Sequence, residues 1–187
     1  MPEIKHYRRK LCLLGDAAVG KTSLVRRYVE DRFDDRYLVT LGTKVTMKEM
    51  YLKVPDNGQK LKITLMIWDI LGQREPKRLH TTFYNGANGA FVVADITRKE
   101  TIAALEGWIL SLFKTVGKVP ILLLINKIDL LEQAAIKPEE IQDLARKYDT
   151  SYVLTSAKTG ENVEKAFFKM SEVLVEKDVK KIPVYSS

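Results

Sequence analysis

The chain has 187 residues and a mass of 21.4 kDa, and 31 Lys plus Arg against 24 Asp plus Glu give a net charge of +7. That length suits one domain with a real core, and the single cysteine, Cys12, excludes an intramolecular disulfide framework and a multi-cysteine metal site. The apolar run over 119–125 is too short to span a bilayer and the first ten residues are charged, which predicts a cytoplasmic protein, while the +7 balance leaves open nucleic acid, an anionic membrane or an acidic partner.

The elements follow in chain order. An apolar strand over 11–14 ends at Gly15, and a helix over 23–29 carries Leu24, Val25 and Tyr28 on one side. Strands are predicted over about 44–54 and 61–69, and Asn57-Gly58 between them is a hairpin-turn signal. The continuous apolar runs 90–94 and 120–125 read as strands buried on both faces. A helix over about 97–116 presents Ile102, Leu105, Ile109 and Leu112. Pro138 suits the first turn of a helix reaching about 148. A short strand over 152–154 and a helix over about 161–177 close the chain. Such alternation predicts a three-layer α/β fold, with a mostly parallel sheet and one antiparallel edge strand. The expectation is one domain over 1–187, with its core at about 8–176 and a short frayed C-terminal tail.

Residues 15–22, Gly-Asp-Ala-Ala-Val-Gly-Lys-Thr, fit G-x-x-x-x-G-K-[ST] between a strand and a helix. Backbone N–H groups of Asp16, Ala17, Ala18, Val19 and Gly20 would curl round phosphate oxygens at a helix N-terminus, which favours negative charge. Lys21 offers a point charge, Thr22 a hydroxyl for Mg²⁺, and Ser23 continues the helix beside them. Asp69 ends an apolar strand in Asp-Ile-Leu-Gly-Gln, which places it at the same sheet edge as a second metal-side group. There Gly72 presents an N–H to a terminal phosphate and Gln73 orients a water. Asn126-Lys127-Ile128-Asp129 follows the next buried strand. A carboxylate at Asp129 accepts from both N1–H and the 2-amino group of guanine, a donor pair that adenine lacks. Asn126 can bridge loops, the stem of Lys127 can cover a ring, and backbone N–H groups in Thr155-Ser156-Ala157-Lys158 can reach the guanine oxygen.

With these four motifs in order after four strands, the chain resembles the Ras superfamily of small GTPases over about residues 8–175. The resemblance implies the P-loop NTPase fold with a six-stranded sheet, GTP or GDP with Mg²⁺ as ligands, and slow GTP hydrolysis. It implies that Phe33 packs edge-on against guanine and that Tyr37 covers the phosphates. Thr40 then binds Mg²⁺ through its hydroxyl and the γ-phosphate through its N–H. Catalysis falls to Gln73, Lys21 and Thr40, and the metal to Thr22, Thr40 and Asp69, the last through water. Trp68 and Tyr84-Asn85-Gly86-Ala87 look most similar to the Rab branch.

Several positions depart from the family pattern. Ile70-Leu71 stands where Thr-Ala is usual, Ala17 replaces a glycine, Arg74 follows Gln73, and Pro76 falls where the switch helix would begin. An alternative reading is therefore a GTP- or GDP-binding module with little hydrolysis. Val45 replaces the phenylalanine of a Rab effector triad, while Trp68 and Phe83 match its other aromatics. The terminal residues carry no cysteine and the chain begins Met1-Pro2, so neither prenylation nor myristoylation is expected. Basic residues Lys5, Arg8, Arg9 and Lys10, with Lys177, Lys180 and Lys181, are expected on the surface, where they allow at most weak membrane attraction. Arg98 and Lys99 read as a solvated face, Cys12 as a buried hydrophobe, and Trp108 as core or partial surface. Effectors and regulators at the switches, no specific nucleic acid partner, and a monomer complete the expectations.

Overall fold

A computed structural model describes residues 4–34, 43–53, 60–70 and 82–179. Tyr37, Thr40, the Asn57-Gly58 turn, Leu71, Gly72, Gln73, Arg74, Pro76, His80 and the tail beyond 179 lie outside the described residues. In chain order the elements are β1 (Lys5–Leu14), α1 (Lys21–Glu30), β2 (Thr43–Lys53), β3 (Lys60–Ile70), β4 (Gly89–Asp95), α2 (Lys99–Val116), β5 (Ile121–Asn126), a 3-10 helix (Ile128–Gln133), α3 (Pro138–Lys147), β6 (Tyr152–Leu154) and α4 (Val163–Val179).

The six strands form one sheet in the order β2-β3-β1-β4-β5-β6. Among the described residues only the β2–β3 pair is antiparallel, with Thr43 opposite Ile70 and Lys53 opposite Lys60. The other neighbours run parallel. This is the three-layer arrangement that the alternating pattern predicts. β4 explains its own apolar run. Phe91 and Val93 join the core under α1 and α4, with Leu24, Phe167 and Met170. Ala90, Val92 and Ala94 join the core under α2 and α3, with Leu105, Ile109 and Ile141. A strand covered on both faces has no solvent side to mark with polar residues. Tyr28 stacks on Phe167 at 3.9 Å, and Phe91 meets Phe167 edge-on at 4.8 Å, which locks α1, α4 and the sheet together.

The structure corrects the expected first strand. Residues 11–14 are only its buried half, and β1 begins at Lys5. Pairing with β3 runs from Lys5 opposite Leu61 to Leu13 opposite Asp69, whereas β4 joins only from Leu11 onward. Backbone pairing on one side holds the charged half, which no apolar pattern reveals.

The basic N-terminal cluster is also corrected. Lys10 is buried, its Nζ lies 3.6 Å from the Trp68 ring centroid and donates to Asn85 O at 2.8 Å. Arg9 is tied to Leu174 O at 3.0 Å and to the Asp178 carboxylate. Lys5 and Arg8 remain exposed. Two helices start later than predicted. Thr97 is held by Asp95 Oδ1, which accepts from its N–H at 3.0 Å and its hydroxyl at 2.7 Å, so α2 begins at Lys99. Asn162, with φ of +55°, makes the turn before α4.

Candidate functional site

β1, β3, β4, β5 and β6 run parallel and all end at the carboxyl edge of the sheet. β1 lies at its centre, and the chain crosses over β1 between β3 and β4. That is a topological switch point, where a crevice opens beyond the strand ends. The 15–20 loop sits in it.

The backbone of this loop is unusual. Gly15 has φ of +137°, Ala18 +62° and Gly20 +99°. A Cβ on Gly15 would stand 2.3 Å from Val93 O, and one on Gly20 would stand 2.3 Å from Asn126 Nδ2. Both glycines are therefore required by close approach as well as by φ. The loop carbonyls are taken by four donations. Lys21 Nζ donates to Gly15 O at 2.8 Å and Asp16 O at 2.9 Å. Arg98 Nη2 donates to Ala17 O at 2.9 Å, and Asn126 Nδ2 to Val19 O at 2.9 Å. Leu24 N–H reaches Gly20 O as the first bonds of α1 form.

Thr22 and Asp69 meet at the mouth of the loop, where Thr22 Oγ1 donates to Asp69 Oδ2 at 2.5 Å. Asp69 is buried, and its Oδ1 has no hydrogen-bond partner. A buried carboxylate oxygen left unpaired is costly, and a hard cation or its water shell is the chemistry that satisfies it. Burial pushes the Asp69 carboxyl above the usual carboxylate range, against the Thr22 hydrogen bond and the Lys21 charge, which lower it. Burial likewise lowers the Lys21 ammonium from 10.5 to about 8, although Asp69 and Asp16 attract its charged form. Oppositely charged groups are thus held in a desolvated pocket. The oxygen donor set fits Mg²⁺.

The Asn126–Asp129 segment forms the second part of the site. Asn126 is buried and ties three segments together. Its Nδ2 holds Val19 O, and its Oδ1 accepts from Thr155 Oγ1 at 3.2 Å and Ala157 N–H at 3.1 Å. Lys127 stands at φ of +68°, and its Nζ lies 2.6 Å from the buried Asp95 Oδ2. Asp129 is exposed, and its Oδ1 accepts from Ser156 Oγ at 2.6 Å. The N–H groups of Ser156 and Ala157 already have acceptors, Glu161 O and Asn126 Oδ1. Lys158 follows on this loop, and Phe33 packs partly buried against the α1–α4 core.

Three side chains of this site escape sequence reasoning. Arg27 of α1 donates from Nε to Ala157 O at 2.9 Å and from Nη2 to Lys158 O at 2.6 Å. Trp108 of α2 donates from Nε1 to Asp16 Oδ1 at 2.9 Å. Arg98 is only partly exposed and is engaged at both ends: its Nε lies 3.1 Å from Asp95 Oδ2 while Nη2 holds Ala17 O. Each acts across 81 or more residues of sequence, so no local spacing announces it. Lys99, by contrast, is exposed and reaches Glu140 at 3.3 Å.

A phosphate-loop turn at the switch point, an acidic group on the neighbouring strand and an Asn-Lys-x-Asp loop beyond them define a P-loop nucleotide-binding protein. A model described as the Ras family matches residues 10–176. Ras-related protein Rab-13 of Bos taurus is 35% identical over 159 residues, covering 84% of this chain and 75% of the relative. Human Ras-related protein Rab-8B is 33% identical over 178 residues, 95% of this chain and 83% of the relative. Ras-related protein Rab-21 of Canis lupus familiaris is 33% identical over 171 residues, 91% and 74%. The chain belongs to the Ras family, a family of small GTPase switches, and is Rab-like within it.

Proposed function

We propose that this chain is a molecular switch that binds GTP and GDP with Mg²⁺ and slowly hydrolyses GTP to GDP and phosphate. The observation that carries it is the unpaired buried Asp69 Oδ1 beside the Thr22 hydroxyl, at the mouth of a loop whose carbonyls are turned to Lys21, Arg98 and Asn126. Thr22 and Asp69, with Thr40, are the residues that would hold Mg²⁺. When bound, Mg²⁺ supplies positive charge against the outer phosphate oxygens.

The protein's own residues supply the rest. N–H groups from Asp16 to Ser23 take phosphate oxygens. Lys21, desolvated and with its ammonium lowered to about 8, is held more firmly in its charged form by a phosphate anion beside it. Asp129 accepts from the guanine edge, Lys127 lies along the base, and Ser156, Ala157 and Lys158 close its far side. Phe33 and Tyr37 flank the ligand. Gln73 orients the attacking water, and Thr40 and Gly72 sense the γ-phosphate, so its loss releases both segments to signal to effectors and regulators. The protein acts as a cytoplasmic monomer without a specific nucleic acid partner. Exposed Lys5 and Arg8 offer only weak attraction to anionic membranes.

Mass determination of the copurifying nucleotide, followed by single-turnover hydrolysis, tests this reading. Guanine nucleotide should copurify, and Gln73→Leu should slow turnover relative to wild type. Equal rates would remove Gln73 from its role. GTP that persists unhydrolysed on the wild-type protein would identify a nucleotide-holding module instead, the alternative suggested by Ile70-Leu71 and Ala17.

A further inference from the structure

We propose that Arg98, clamped by the buried Asp95 carboxylate, is a positioning residue that fixes the Ala17–Ala18 peptide for phosphate binding, and that Asp95 couples this brace to the base side of the site through Lys127. The inference rests on the guanine-nucleotide reading above and concerns groups behind the loop.

Asp95 ends β4 with 1% exposure and is fully engaged. Its Oδ1 accepts from the Thr97 N–H at 3.0 Å and hydroxyl at 2.7 Å. Its Oδ2 lies 3.1 Å from Arg98 Nε and 2.6 Å from Lys127 Nζ. Buried Thr101 fixes the turn between them: its hydroxyl accepts from Asp95 N–H at 3.0 Å and donates to Arg98 O at 2.7 Å. One carboxylate therefore sets the direction of two cations that serve different segments. Lys127 belongs to the Asn-Lys-x-Asp loop. Arg98 reaches the phosphate loop and donates from Nη2 to Ala17 O at 2.9 Å.

A trans peptide points its C=O and N–H in opposite directions. With Ala17 O drawn back toward Arg98, the N–H of Ala18 faces the concave side of the loop. A guanidinium on the carbonyl also polarises that peptide and strengthens its N–H as a donor to an anion. The constraint is needed at this position. Ala18 has φ of +62°, sparsely populated for a residue with a Cβ, so the peptide keeps this orientation only if its surroundings impose it. Asp16, one residue before Ala17, is held through its side-chain Oδ1 by Trp108 Nε1 at 2.9 Å. Two side chains of the α2 region thus grip consecutive residues of the loop.

The test compares GDP, whose second phosphate would meet the loop, with GMP, which lacks it. Dissociation of fluorescent GDP and calorimetric affinities for GDP and GMP are measured on the full chain for wild type, Arg98→Ala, Arg98→Lys, Asp95→Asn and Trp108→Phe. Arg98→Ala should speed GDP release about tenfold, the scale of one charged hydrogen bond, and leave GMP affinity within about twofold. Arg98→Lys keeps the charge without the two-pronged geometry and should fall between. Asp95→Asn should weaken GDP and GMP together, because it loosens Lys127 as well. Trp108→Phe keeps the ring, loses the donor and should repeat the GDP-selective defect more weakly. Equal loss of GDP and GMP in Arg98→Ala, tracking a lower unfolding midpoint, would reduce Arg98 to a structural residue and overturn the proposal. GDP release unchanged by Arg98→Ala would overturn it while leaving the nucleotide reading intact. A wild-type chain that binds neither nucleotide would overturn both.

Discussion

At the scale of single residues, the site is built by forcing unfavourable states and then bracing them. Gly20 is the plainest case. It caps α1 with φ of +99°, and the amide of Asn126 fills the space a side chain would need. The same amide nitrogen holds Val19 O, so small size at position 20 and loop bracing are one requirement. Asp129 is simpler, because it is exposed and its bond from the buried Ser156 hydroxyl is one that an Asn amide oxygen can also accept. Replacing it should therefore alter recognition without unfolding the protein. Asp129→Asn is expected to weaken GDP binding by about two orders of magnitude, the scale of two lost charged hydrogen bonds, and to favour xanthosine diphosphate, whose 2-oxo group suits an amide donor. Competition binding of the two nucleotides reads this, and an unchanged preference for GDP would refute the role. The place of Asp129 in a loop directly after a strand was legible in the sequence, because it needs only residue type and position. Arg98 was not legible. A charged residue at a helix start looks solvated until Asp95 and Ala17 O are known to lie on either side of it.

Elements bring the loops within reach of each other. α1 does this in two directions: its first residues, Lys21 and Thr22, face the phosphate loop and Asp69. One turn further on, Arg27 grips the carbonyls of Ala157 and Lys158. The helix thus fixes the span between the loop after β1 and the loop after β6. Arg27→Ala should free the second loop and speed GDP release by roughly tenfold, less than the direct loss of two charged hydrogen bonds, because the largely buried guanidinium acts on GDP only through that loop. Stopped-flow dissociation is the measurement, and release at the wild-type rate would show that the loop holds itself. Among elements, the strands covered on both faces and the helices with one apolar stripe were evident from periodicity. β1 was evident only in part, because Lys5, Arg8 and Arg9 mask a segment that backbone pairing with β3 makes a strand.

For the whole molecule, the consequence of this architecture is stored electrostatic strain. Burial lowers Lys21 from 10.5 to about 8, so between those values the native state binds fewer protons than the unfolded chain. Stability contributed by Lys21 is then present above 10.5 and lost as pH falls through about 8. Asp69 acts in the opposite sense. Its raised carboxyl stabilises the fold at acid pH, and that contribution is lost as pH rises through the raised value. Denaturant unfolding of the nucleotide-free protein should show stability rising with pH from 8 toward 10.5. Lys21→Met should flatten that rise. Saturating GDP·Mg²⁺ should flatten it too, by restoring the charged form of Lys21. Parallel pH profiles for wild type and Lys21→Met would place the strain elsewhere.

The sequence by itself determined the layer order, the parallel sheet with its antiparallel edge, and the four loop motifs. These follow from local periodicity and from residue types that chemistry fixes at short spacing. Only the tertiary structure decided how the motifs are held. Asp95, Arg98, Trp108 and Arg27 work across segments distant in sequence. Arg27 and Arg98 do so on backbone carbonyls, which every residue carries. A contact to a carbonyl leaves no mark on the residue that accepts it, and only the folded chain shows which carbonyl lies within reach.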